Sequence, residues 1–168
     1  MHPDPQCLFD QADALIAGQL NETDLRRAVS SAYYGVFHCV LRHVADTVLG
    51  AGNRGTNLYR AVYSGIAHEQ LRTVCHKLGG PKPDDKIVKG HAPNGGFGQI
   101  IIFATLTLNL QDQRKYADYN PVRPFLSPTA AAEAVTNARD AVKYFEEARP
   151  EQRGAFIALL AMKLRNES

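Results

Sequence analysis

The stretch Arg27-Ala28-Val29-Ser30-Ser31-Ala32-Tyr33-Tyr34-Gly35-Val36-Phe37-His38 decides the fold class. Residues three and four apart share a helix face, so Arg27, Ser31, Tyr34 and His38 fall along one side. Beside them run Leu25, Ala28, Val29, Ala32, Val36, Val40 and Val44, apolar at the recurrence of a core-facing helix. A polar, partly aromatic strip next to an apolar stripe describes a bundle helix that packs on one side and offers chemistry on the other. Asn21 supplies a cap, Glu22 and Asp24 suit the positive end of the dipole, and Gly50 and Gly52 end the helix after Leu49.

Working outward, helical periodicity recurs and strand signals are nearly absent. A first helix is expected from Pro5 to Ala17, burying Leu8, Ala12, Leu15 and Ile16 and stopping at Gly18. A third is expected from Thr56 through Leu58, Val62, Ile66, Leu71, Val74 and Leu78 to Gly79-Gly80. The segment from Gly79 to Gly96, dense in proline and glycine, reads as a long irregular connection. The fourth helix, Gly98 to Ala117, is the most hydrophobic and is expected at the centre. Pro121 and Pro124 break the chain, and Ser127-Pro128 starts a fifth helix to Ala148 that buries Ala131, Ala134, Val135, Ala138, Val142 and Phe145. A last helix opens at Pro150 and holds Phe156, Leu159, Leu160 and Leu164. The pattern predicts one all-α domain over residues 1–168, an antiparallel up-and-down bundle of five or six helices.

The 168 residues are 45% apolar and 21% charged, ordinary for a globular chain with one core. A formal net charge of +2 is too small to argue for nucleic acid by itself, so any basic surface is local. The three cysteines, Cys7, Cys39 and Cys75, are widely spaced and odd in number, which points to a reduced, cytoplasmic protein. No secretory signal is visible after Met1, and the greasiest run, Ile100 to Leu110, is too short to span a bilayer. No membrane association and no cofactor are expected.

Several constellations have both a sharp and a plain reading. Cys39 with His43, and Cys75 with His76, lack the close paired spacing of structural zinc sites, so no metal is expected. His68, Arg72 and His76 line one face of the third helix, either as a phosphate-binding or acid–base strip or as a solvated edge. Gly95-Gly96-Phe97-Gly98 lacks the strand and the following Lys-Ser/Thr of a phosphate loop. No hydrolase or metalloprotease motif is present. Arg114-Lys115-Tyr116-Ala117-Asp118-Tyr119 is either a helix end tied by an Arg–Asp pair or half of a polar pocket shared with Tyr33, Tyr34 and His38.

Two of these stretches together carry a resemblance. Arg27 to His38 resembles the Ser-Arg-Ala-Tyr-Tyr-Ala-x-Phe-His pattern of the HEPN superfamily, small all-α domains often paired with a minimal nucleotidyltransferase in toxin–antitoxin and defence modules. Arg114 to Tyr119, followed by Pro121, is similar to the Arg-x-x-Ala-Asp-Tyr signature of one branch. The resemblance implies a homodimer that binds RNA or nucleotide phosphate, with a nucleotidyltransferase-type protein as a further partner. Arg114 and Arg27 would contact phosphate, Tyr33, Tyr34 and Tyr119 would shape the site or stack on bases, and Asp118 would orient Arg114. Active members are metal-independent endoribonucleases with an Arg followed, after four to six residues, by His. This chain has no such pair: Tyr119 stands where Arg114 would have its histidine, Arg72 and His76 are one residue too close, and Ser31 replaces the arginine before Ala-Tyr-Tyr. The departure speaks against RNA cleavage. A non-catalytic module docking on a neighbouring-encoded protein is the alternative that the same residues allow.

Overall fold

The computed structural model describes residues 4–18, 21–120 and 126–162. Pro121, Pro124 and Leu164, assigned above to a chain break and a last helix, lie outside them. The described residues form eight α-helices and one 3-10 turn, with no strand among them: α1 (Pro5–Ala17), α2 (Glu22–Leu49), a turn at Ala51–Asn53, α3 (Asn57–Tyr63), α4 (His68–Gly79), α5 (Asp85–Gly90), α6 (Gln99–Tyr119), α7 (Pro128–Glu147) and α8 (Pro150–Ala161). The all-α class stands. The helix count exceeds the expected five or six, for two local reasons.

The expected third helix is two. Ser64-Gly65 interrupts it: the Gly65 N–H bonds to the Val62 carbonyl in a tight closing turn, and the chain restarts at His68. Glycine is among the weakest helix formers, so tertiary packing decides whether a helix passes through it. Because of the break, α3 buries Tyr59 and Tyr63 while Leu58 lies 62% exposed, a face shifted by one residue from the apolar pattern. The second reason lies in the long connection. Asp84 accepts hydrogen bonds from the backbone N–H groups of Lys86 and Ile87, at 3.0 and 3.3 Å, and so caps the short α5. The rest of that connection is tied to the start of α8. Arg149 donates to the Asn94 carbonyl (2.7 Å), and the buried Gln152 donates to the Gly96 carbonyl (2.9 Å).

Two helices share the centre: α6 packs against α2, α4, α7 and α8, as expected of it, and α2 packs against α1, α3, α6 and α7. In α2 the apolar stripe is the buried face. All seven stripe residues from Leu25 to Val44 are buried, and so are Tyr33, Gly35, Phe37, Cys39, Leu41 and Ala45. Its ends follow local chemistry: the Asn21 side chain accepts from the Asp24 N–H at 3.0 Å, and Gly50 takes φ 81°, a conformation that excludes most side chains. Gly35 lets α1 approach, since a Cβ there would lie 2.8 Å from ring carbons of Phe9. Phe9 therefore fills the position expected of Leu8, and α1 buries Phe9 and Ala12. The other close crossing is at Gly79, where a Cβ would meet the Thr105 backbone at 2.7 Å, and Thr105 Oγ1 donates to the Gly79 carbonyl at 2.9 Å. The α7 face follows the expected pattern, with Ala141 buried in place of Val142. No helix among the described residues is long and apolar enough to cross a membrane.

Candidate functional site

The end of α6 folds against the Tyr-Tyr segment of α2, and the backbone contacts explain why. Arg26, one residue from the arginine singled out in the sequence, donates to the carbonyls of Ala117 (2.7 Å) and Asn120 (2.9 Å) while bonding Glu22 one turn back. A cation suits the negative end of a helix dipole and satisfies carbonyls that no later turn can use. Ser30 donates its hydroxyl to Asp118. These two residues fix the last turn of α6 beside α2.

Arg114 occupies the seam. Its Nε lies 2.6 Å from Asp118 Oδ2, and Nη2 donates to the Tyr34 hydroxyl at 2.8 Å. The guanidinium carbon lies 5.3 Å from the Tyr34 ring centre, 5.5 Å from that of Tyr119 and 5.9 Å from that of Tyr33. Three phenol rings around one cation are mutually stabilising, because each ring face is electron-rich. The Arg114 side chain is only 14% exposed, whereas Tyr119 is 72% exposed.

His68 joins this group from the first turn of α4. Its Nδ1 is 2.8 Å from the Tyr33 hydroxyl, its ring stacks on Phe37 with centres 3.8 Å apart, and the Tyr34 ring meets it edge-on at 5.6 Å. The buried Gln111 of α6 donates to the His68 carbonyl at 3.3 Å and accepts from Arg72, which also pairs with Asp112 at 2.7 Å. Burial, and then the Arg114 charge, hold His68 below the usual imidazole range, so it is neutral at pH 7. Burial pushes the Tyr33 phenol well above its ordinary range, although Arg114 opposes the shift, so Tyr33 remains a protonated hydroxyl.

The expected site residues divide accordingly. Tyr33, Tyr34, Arg114, Asp118 and Tyr119 are brought together. Tyr33 is fully buried, so it shapes the cluster and has no face left for a base. His38 meets the edge of the cluster through the Tyr34 ring, at 6.3 Å, and the Phe37 ring, at 5.8 Å, and its Nδ1 lies 2.8 Å from the Tyr63 hydroxyl. Arg27 is exposed on α2 and the contact to α6 belongs to Arg26. One residue is a 100° step around a helix, so the two neighbouring arginines face different surroundings. The strip of His68, Arg72 and His76 does not act as a unit: His68 points into the cluster, Arg72 binds α6, and His76 is exposed on a cleft of about 380 Å³. His68 was the residue to find. The sequence placed it only in that strip, and the Ser64-Gly65 break sets it at a helix start instead.

The arrangement offers a cation, exposed and half-buried phenols and a neutral imidazole at one seam. No family model matches the chain, and neither a curated protein nor a solved structure is significantly similar to it.

Proposed function

We propose that the protein is a HEPN-like antiparallel bundle that binds RNA or nucleotide phosphate at the Arg114–Tyr34–Tyr119–His68 seam, without cleaving it. The observation that carries this reading is the Arg114 guanidinium set among three phenol rings, with one of them, Tyr119, open to solvent. Such a group suits a phosphate next to an unstacked base: guanidinium binds phosphate oxygens as a planar fork, and an exposed phenol stacks on a base. Phosphate reaches Arg114 by displacing Asp118, so binding exchanges one anionic partner for another. The missing Arg-x(4–6)-His spacing supports binding without catalysis. His68 stands near the arginine, but its Nδ1 is already engaged by Tyr33.

Binding of a short single-stranded RNA, measured in wild type and Arg114→Ala, tests the reading. The variant should lose most affinity while keeping its helical circular dichroism. Wild-type affinity in the variant would remove the seam from consideration. Chelator-insensitive RNA cleavage that disappears in His68→Ala would replace binding by catalysis.

A second reading, a docking module for a neighbouring-encoded protein or a second copy, is favoured by the exposure of Tyr119 and Leu58. Salt separates the two. Phosphate contacts weaken steeply with ionic strength, and an apolar docking surface does not.

A further inference from the structure

Helix α7, which contributes nothing to the Arg114 seam, brings one carboxylate to the opposite chemistry of α2. Cys39 and His43 lie one turn apart on α2. Glu146 Oε1 lies 3.9 Å from Cys39 Sγ and 3.8 Å from His43 Nε2, and the three donor atoms all fall within 4.8 Å of one another. Neither distance is a close hydrogen bond or a tight ion pair, so the carboxylate is shared loosely between a thiol and an imidazole. Around a tetrahedral zinc ion with bonds of about 2.0–2.3 Å, such donors stand roughly 3.3–3.6 Å apart. To close on an ion the two Glu146 edges contract by a few tenths of an ångström, and the Cys39–His43 edge, at most 4.8 Å, by up to about 1.3 Å.

We propose that Cys39, His43 and Glu146 form a site for a borderline-soft divalent cation, Zn²⁺ by preference, with the fourth position left to water or an exogenous ligand. Thiolate, imidazole and carboxylate together suit zinc and exclude magnesium and calcium, which take oxygen donors. The site has a floor and a mouth: Cys39 is 1% exposed, whereas the side chains of His43 and Glu146 are 31% and 49% exposed, so an ion enters past the latter two. Phe145 meets the His43 ring edge-on at 5.1 Å and sets its plane. Arg153 donates to the Glu146 carbonyl and pins the end of α7.

The charge around the site is mixed: Glu146 and Asp46 favour positive charge at His43, and Arg153 and Arg42 oppose it. A thiolate and the Glu146 carboxylate cancel the two charges of the metal, so the filled site is neutral. His43 is held below its usual range, first by burial, and offers a neutral ring nitrogen. In the metal-free chain burial, with Glu146 adding to it, pushes the Cys39 thiol up to about 12, so binding releases that proton.

The test is a Co²⁺ titration of the full chain after chelator treatment, followed by Zn²⁺ displacement. One equivalent of Co²⁺ should give tetrahedral d–d bands and a single thiolate-to-metal charge-transfer band, both bleached by Zn²⁺. Cys39→Ala should remove the charge-transfer band, and Cys7→Ser and Cys75→Ala should retain it. His43→Gln and Glu146→Gln, at the mouth of the site, should each weaken binding by more than the roughly tenfold that loss of a supporting partner costs. The proposal is overturned by the absence of stoichiometric binding or by a charge-transfer band that survives Cys39→Ala. Unchanged affinity in both His43→Gln and Glu146→Gln overturns it too, and these two decide the matter if Cys39→Ala does not fold.

Discussion

His68 shows how much of this molecule is decided by single side chains. Its ring is stacked on Phe37 and bonded to Tyr33, under the field of Arg114. Its folded pKa lies below the unfolded value near 6.5, so on acidification the unfolded chain takes up the proton first. The stabilisation is therefore complete above about pH 6.5 and is lost as pH falls toward the folded value. Urea unfolding at pH 7.5 and pH 5.5 should show a smaller acid loss in His68→Gln than in wild type. Equal losses would mean that the half-buried His68 ring is not held neutral as described. Arg114 makes a second claim at this scale. Arg114→Ala leaves Tyr34 and Asp118 without their shared partner and should cost about 1–3 kcal/mol of stability by chemical denaturation. Arg114→Lys keeps the charge but loses the planar fork, so its RNA affinity should fall between wild type and Arg114→Ala.

At the scale of elements, α1 and α2 meet at a glycine notch. Gly35 provides the notch and Phe9 fills it. A side chain at position 35 must push the ring out of a packed site, so Gly35→Leu should destabilise the protein by about 2–3 kcal/mol in urea unfolding. Phe9→Ala made in that background should cost less than Phe9→Ala alone, because the two changes share one space. Strictly additive costs would show that the ring and the glycine do not meet. The Ser127 side chain accepts from the Ala130 N–H at 3.1 Å at the start of α7, and Ser127→Ala should cost about 1 kcal/mol by the same measurement. The boundaries of α1, α2 and α7 were legible in advance because caps, prolines and glycines act locally. The division of the third helix was not: the apolar pattern continues through Ser64-Gly65, and only packing of Tyr59 and Tyr63 against the core reveals the break. The buried face of α1 was displaced by one residue for a similar reason, since Phe9 is selected by a notch on another helix.

For the whole molecule, the seam is a tertiary product. Its two halves, Tyr33-Tyr34 and Arg114 to Tyr119, were readable as motifs, and their meeting is secured by Arg26, Ser30 and Gln111, whose roles depend on contacts between distant parts of the chain. The Glu146 carboxylate near Cys39 and His43 was hidden in the same way, since it lies 107 residues from Cys39. With a net charge of only +2, RNA affinity rests on a few local contacts. Each phosphate contact on a single strand contributes about 0.7 to the slope of log K against log salt, so Arg114→Ala should reduce that slope by about this amount. An unchanged slope with reduced affinity would assign Arg114 to packing alone.

The central claim is that α6 and α2 meet in a seam that receives a nucleotide, and ring resonances report on it directly. In a chain labelled at tyrosine and histidine, added single-stranded RNA should shift the signals of Tyr34, Tyr119 and His68 and leave Tyr144 on α7 unmoved. Shifts confined to other rings, or none at saturating RNA, would contradict the account.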